Sequence, residues 1–253
     1  MRFIATVDSD TGIIKETNQD SVLLMHASTS KGEVLMAAVC DGMGGLEKGE
    51  LASKTVVMTF ANWFKQELPH ELETPDMDVI GAKWSLMLKD LNLRLAKYGR
   101  EKGTELGTTF TGVLFIGEKY VCVHVGDTRL YHIGGEIRQL TDDQTFIERE
   151  IRSGRMTEEQ AKKDKRRNVL LQCVGASRVL EPQVICGKTE RGVYMICSDG
   201  FRHVITEGEM LETLAPINLM NKKAMHGNAR YLIDLIKARR ERDNISVVLI
   251  KAD

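Results

Sequence analysis

Five aspartates in this chain stand at the ends of apolar runs. Asp41 follows VLMAAVC, Asp127 follows YVCVHVG, and Asp199 follows VYMICS. Asp243 stands with Asn244 just before ISVVLI, and Asp20 just before SVLLMH. A single aspartate at a strand end is ordinary, because its side chain bonds nearby backbone. The set calls for more. Asp41 and Asp199 share one format, apolar strand, Asp, Gly, and the glycine lets a ligand approach the backbone closely. If the strands are neighbours, the carboxylates meet at one edge of the sheets. Two such charges ~4 Å apart repel by about 4 kcal/mol at an effective dielectric of 20. The cluster then requires protonation, with raised pKa values, or divalent cations. Oxygen-only ligands favour hard ions, Mg²⁺ or Mn²⁺. With Asp41 as the bridge, two cations about 3.5–4 Å apart would hold a water or hydroxide between them. The glycines after it, Gly42, Gly44 and Gly45, would bring the Gly42 carbonyl to a metal and leave room for a phosphate.

Other chemistries fit less well. The six histidines show no H-x-x-x-H spacing for zinc. No contiguous D-x-[DN]-x-[DN]-G loop marks a structural calcium site. Cys40 and Cys197 lie in apolar runs, which favours inert packing, and Ser198 has no histidine partner that the sequence places beside it.

The elements that must position these groups read as follows. Strand-like runs occupy Arg2–Val7, Ser21–His26, Glu33–Cys40, Gly107–Ile116, Tyr120–Val125, Arg129–Ile133, Val184–Lys188, Val193–Cys197 and Asn244–Ile250. Val57, Phe60, Ala61, Phe64 and Leu68 follow one helical face, as do Ile80, Trp84, Met87, Leu88, Leu91 and Leu95. Met225, Ala229, Leu232 and Ile236 mark a late helix. These stripes are core. Hairpin-like strand runs with helices in blocks predict an α+β fold of two packed, mostly antiparallel sheets with helices outside.

The 253 residues include 28% charged side chains at a net charge of −1, so no global field draws the chain to nucleic acid or anionic lipid. No run is long enough to span a membrane, and MRFIATVDSD has no apolar h-region. Five cysteines without a C-x-x-C pair read as reduced thiols of a cytoplasmic protein. The basic string KKDKRR, Lys162 to Arg167, reads as a solvated helix rather than a docking site, and no nucleic-acid-binding pattern accompanies it.

Eight stretches in order give the chain a family likeness: DSDTGIIKETNQDS, VCDGMGG, LGTTFTGVLF, VHVGDTRLY, LTDDQTFIEREIRSGRMTEEQ, RRNVLLQCVG, ICSDGF and RDNISVVLI. The sequence resembles the metal-dependent Ser/Thr protein phosphatases of the PPM (PP2C-like) family, in particular the compact bacterial members. The resemblance implies an αββα sandwich and one catalytic domain over residues 1–253, with a flap at about 141–175. By position, Asp41 bridges two metals, the Gly42 carbonyl meets one, and Asp199 and Asp243 bind the other. Asp20 holds water at the metals, and Asp127 with Asp199 would hold a third, weaker ion. Lys15 stands where the family often has a phosphate-binding arginine, so it supplies charge without a bidentate fork. Gln19 replaces a glutamate found in some members, and Met43 occupies the position of a general-acid histidine in eukaryotic ones. The implied partners are phosphorylated proteins, substrates of a Ser/Thr kinase, and that kinase itself. A monomer is expected. The alternative is a pseudophosphatase that binds phosphoproteins without hydrolysis.

Overall fold

The computed structural model describes residues 1–29, 32–43, 48–161, 163–166 and 169–253. Gly44, Gly45, Lys162 and Arg167 lie outside them. Among the described residues ten strands form two five-stranded sheets. They are β1 (Phe3–Asp10), β2 (Ser21–Thr29), β3 (Gly32–Cys40), β4 (Phe110–Ile116), β5 (Lys119–Val125), β6 (Arg129–Ile133), β7 (Ile137–Gln139), β8 (Gln183–Lys188), β9 (Gly192–Cys197) and β10 (Ile245–Ala252). One sheet has the order β1-β10-β9-β6-β7, the other β2-β3-β4-β5-β8, and every pair is antiparallel. At the outer edge of the first sheet, Arg2 and Asp253 exchange both backbone hydrogen bonds at 3.1 Å.

The long helices are α1 (Gly49–Gln66), α3 (Met77–Lys102) and α8 (Lys222–Ala238); the shorter ones are α2 (Leu68–Glu71), α4 (Phe146–Arg152), α5 (Glu158–Ala161), α6 (Asp199–Arg202) and α7 (Glu207–Leu214). Asp76 caps α3 by accepting from the Asp78 and Val79 N–H groups, and Gly103 ends it at φ 64°. Burial explains the unbroken apolar runs. Along β3, Val34, Met36, Ala38 and Cys40 face α1 and α3, while Leu35, Ala37 and Val39 face the other sheet. A strand covered on both faces has no polar side to alternate with. Between the sheets Phe115 meets Tyr194 edge-on at 4.9 Å. Under α1 and α3, Phe60 stacks on Phe110 at 4.3 Å and meets Trp84 at 5.0 Å. A third layer packs α7 and α8 on β6, β9 and β10.

Some expectations shift. Leu68 is buried but belongs to α2, because Pro69 lacks the N–H that a continued helix needs. Residues 107–109 leave the expected strand: Thr108 forms isolated bridges with Gly42 and Val174, and Thr109 bonds Asp41 through its N–H and hydroxyl. Within the basic string, residues 163–166 form turns rather than helix; Asp164 accepts the Arg166 N–H at 2.8 Å, a local bond that competes with a helical turn.

Candidate functional site

Strand register brings the aspartates to one end of the sandwich. Ser21 faces Cys40, so Asp20 and Asp41 leave β2 and β3 side by side. Val125 faces Phe110, which places Asp127 beside the Thr109 that bonds Asp41. In the other sheet Cys197 faces both Val247 and Arg129, so Asp199, Asp243 and Asp127 collect at the same end.

Burial and mutual repulsion act on them together. Desolvation, followed by the charges of Asp20, Asp199, Asp127 and Asp243, drives the Asp41 carboxyl well above the usual carboxylate range. Burial, opposed by the Ser246 hydroxyl and reinforced by Asp199, pushes Asp20 up to about 7. Burial and then Asp199 push Asp127 up to about 7, with Arg202 opposing. Asp20 Oδ2 and Asp199 Oδ1 are buried without a hydrogen-bond partner among the described residues.

Backbone contacts fix where each group points. The Asp41 N–H donates to Thr109 Oγ1 at 2.9 Å, and its carbonyl accepts from the Thr109 N–H and Thr108 Oγ1, both at 2.9 Å. Gly42 allows no side chain: a Cβ there would stand 2.5 Å from the Gln19 carbonyl oxygen and 2.6 Å from that of Gly49. Buried Asn244 ties the Asp20 loop to Asp243. Its Oδ1 accepts the Gln19 N–H at 2.9 Å, while its Nδ2 donates to the carbonyls of Thr11 and Thr17. Lys15 Nζ lies 3.0 Å from Asp243 Oδ1. Arg202 Nη2 donates to the Asp127 carbonyl at 3.2 Å and stands 3.6 Å from its carboxylate. Asp143, just before α4, holds Arg129 through two bonds of 2.7 and 2.8 Å and lies 3.8 Å from Arg202. The residues leading into α4 are thus anchored beside Asp127.

Among the described residues no group of three or more His, Cys, Asp or Glu side chains is arranged to hold a metal ion. Two of the carboxylates are engaged elsewhere: Asp243 with Lys15, and Asp199 Oδ2 with His203 at 3.4 Å. The donor set still fits hard divalent cations. It is all oxygen, it repels itself, and it keeps two buried oxygens without partners among the described residues, where native structures satisfy nearly all such atoms.

Several residues of this end are not among the candidates read from the sequence: Thr109, Arg202, His203 and Glu241. Thr108 and Thr109 stood in the quoted LGTTFTG stretch, and a pair of hydroxyl residues just before a strand is a usable sign of side-chain-to-backbone bonding.

Comparison with known proteins completes the picture. A profile of the family described as Protein phosphatase 2C matches residues 14–230. The chain is 31% identical over 245 residues to the serine/threonine protein phosphatase PstP of Mycobacterium tuberculosis, covering 95% of this chain and 43% of PstP. It thus spans less than half the length of that curated relative. It is 26% identical over 254 residues to the serine/threonine phosphatase Stp of Listeria monocytogenes, covering 97% of this chain and 94% of that protein. The crystal structure of the M. tuberculosis phosphatase PstP/Ppp superposes with a TM-score of 0.81 at 28% identity, covering 99% of each chain. The catalytic domain of PstP in complex with two manganese ions gives 0.78, again at 28% identity, covering 98% of this chain and 97% of that one. The chain belongs to the protein phosphatase 2C family.

Proposed function

We propose that this protein hydrolyses phosphoserine and phosphothreonine in other proteins with the help of two divalent cations, Mn²⁺ or Mg²⁺. The observation that carries this reading is the meeting of five carboxylates from both sheets, with Asp41 under the charge of the other four. Asp41, the Gly42 carbonyl, Asp199 and Asp243 would hold the two ions. Asp127 and Asp199 would hold a weaker third, and Asp20 would order water beside them. When bound, the cations acidify an attacking water and neutralise charge growing on the phosphoryl oxygens.

The reaction forms one bond from water oxygen to phosphorus and breaks the ester P–O bond. The released alkoxide takes up a proton, leaving a Ser or Thr hydroxyl and inorganic phosphate. Lys15 supplies positive charge for the phosphate once it leaves Asp243. The thiols take no part: burial pushes Cys197 up to about 12 and holds Cys40 above its ordinary value, so neither supplies a thiolate.

The whole chain acts as a single catalytic domain, 1–253, with 141–175 as a flap beside the cleft. Its substrates are targets of a Ser/Thr kinase and the kinase itself, and it works as a cytoplasmic monomer. Among the described residues no helix is long and apolar enough to cross a membrane. A phosphothreonine peptide assay with Mn²⁺ tests the reading. Asp41→Ala and Asp199→Ala should each abolish turnover while the fold survives. Mn²⁺-dependent turnover retained in both would defeat it.

A further inference from the structure

His203 and Glu241 stand behind two of the aspartates. His203 follows α6 directly, one turn beyond Asp199, and its Nε2 lies 3.4 Å from Asp199 Oδ2. Its Nδ1 lies 3.7 Å from Glu241 Oε2. Glu241 is 7% exposed, and its Oε1 accepts the N–H groups of Arg242 and Asp243 at 2.7 and 3.0 Å. One imidazole therefore joins the Asp199 carboxylate to the carboxylate that shapes the loop carrying Asp243.

The backbone around it is tightly set. Arg240 adopts φ 63°, uncommon for a side-chain-bearing residue, to turn the chain from α8 into this loop. A Cβ on Gly200 would sit 2.1 Å from the Asn244 carbonyl oxygen, so the Asp199 and Asp243 loops are already in contact. The histidine contact occupies Oδ2 of Asp199, and the other oxygen, Oδ1, stays buried and without a hydrogen-bond partner among the described residues.

We propose that His203 and Glu241 are positioning residues of the cation site: together they bind Asp199 and Asp243 into one ligand set and select the oxygen that Asp199 presents. This rests on the reading above that Asp199 and Asp243 hold a divalent cation. Partners behind ligand side chains fix their orientation, and their loss typically weakens metal binding by about 10–100-fold.

Calorimetric titration of Mn²⁺ into the full chain tests it. His203→Ala should weaken Mn²⁺ binding at least ~10-fold, while its melting temperature in chelator stays near that of the parent. Glu241→Gln retains an oxygen for the Arg242 and Asp243 N–H groups but removes the charge facing the imidazole. It should weaken binding similarly, and the double variant should be little worse than either single one. His203→Gln, whose amide N–H can still reach Asp199, should recover part of the loss. Should His203→Ala fail to fold, Glu241→Gln carries the test alone. Unchanged or tighter Mn²⁺ binding in His203→Ala or Glu241→Gln, beside lost binding in Asp199→Asn, would reject the bridge and leave the cation site standing. Losses that multiply in the double variant would also reject the bridge. Parent-like binding in Asp199→Asn would reject the cation site, and the bridge with it.

Discussion

Asp41 sits among carboxylates that its own strand end cannot move away from, because both its N–H and its carbonyl are bonded to Thr108 and Thr109. Without cations the repulsion falls on the fold. Asp41→Asn should therefore raise the melting temperature of the chelator-treated protein, by ~5 °C for about 2 kcal/mol of relieved repulsion and desolvation. The same variant should lose the stabilisation that added Mn²⁺ gives the parent. Differential scanning calorimetry in EDTA and in Mn²⁺ checks both; a variant that melts below the parent in EDTA would contradict the first. At this scale the site was partly legible. The five aspartates announce themselves by standing at the ends of apolar runs. The contact of Lys15 with Asp243 is set by loop geometry and not by spacing, so the sequence did not announce it. His203 and Glu241 gave no signal, because their partners lie in segments about forty residues apart and neither belongs to a periodic pattern.

Within β5, His124 is buried between the Thr111 hydroxyl at 2.8 Å and the Asp142 carbonyl at 3.1 Å. Burial holds its pKa down to about 4, against an ordinary 6.5. The unfolded chain therefore takes up this proton first as pH falls. The stability held by neutral His124 is whole above pH 6.5 and is lost as pH drops toward 4, by about 3 kcal/mol in all. Denaturant titrations at pH 6.5 and 4.5 should show a smaller acid loss for His124→Gln than for the parent, and equal losses would refute the assignment. Elements were legible in proportion to their apolar content. Nine strands and the three long helices carry clear patterns. β7 has three residues, none of them buried, and offers no alternation to read. The helix α7 escaped notice although Thr206 and Glu209 form a capping box at its start, a signal visible in the string TEGE. The residues of α4 also lack a stripe, since none of them is buried; Thr145 caps the helix through the Glu148 N–H, and Arg152 pairs with Glu148 and Asp142.

At the scale of the molecule, the cleft depends on two sheets staying in register, because each sheet carries part of the acidic set. The layer between them is where that dependence is most exposed. Phe115 touches Phe3, Tyr120 and Tyr194 there. Phe115→Ala should cost about 3–5 kcal/mol, a fall of roughly 10 °C in melting temperature. Mn²⁺ affinity at 20 °C should fall with it, whereas an outer-layer truncation such as Met225→Ala should lower stability alone. Equal effects of the two on Mn²⁺ affinity would show that the sheets do not set the site jointly. The two-sheet layering with helices outside was legible in hairpin-like strand runs and helices set in blocks, whereas the order in which the strands pair was not.

The paired ends of β1 and β10 have a consequence of their own. Both strands meet the acidic cleft at Asp10 and Ile245, and their outer tips, Phe3 and Ala252, lie at the opposite pole. A short glycine tether could join Asp253 to Met1 there, and the ring could be cut anew at the hairpin tip around Gly117 and Glu118. Such a permuted chain would keep every strand neighbour while exchanging which sheet edge is made first by the ribosome.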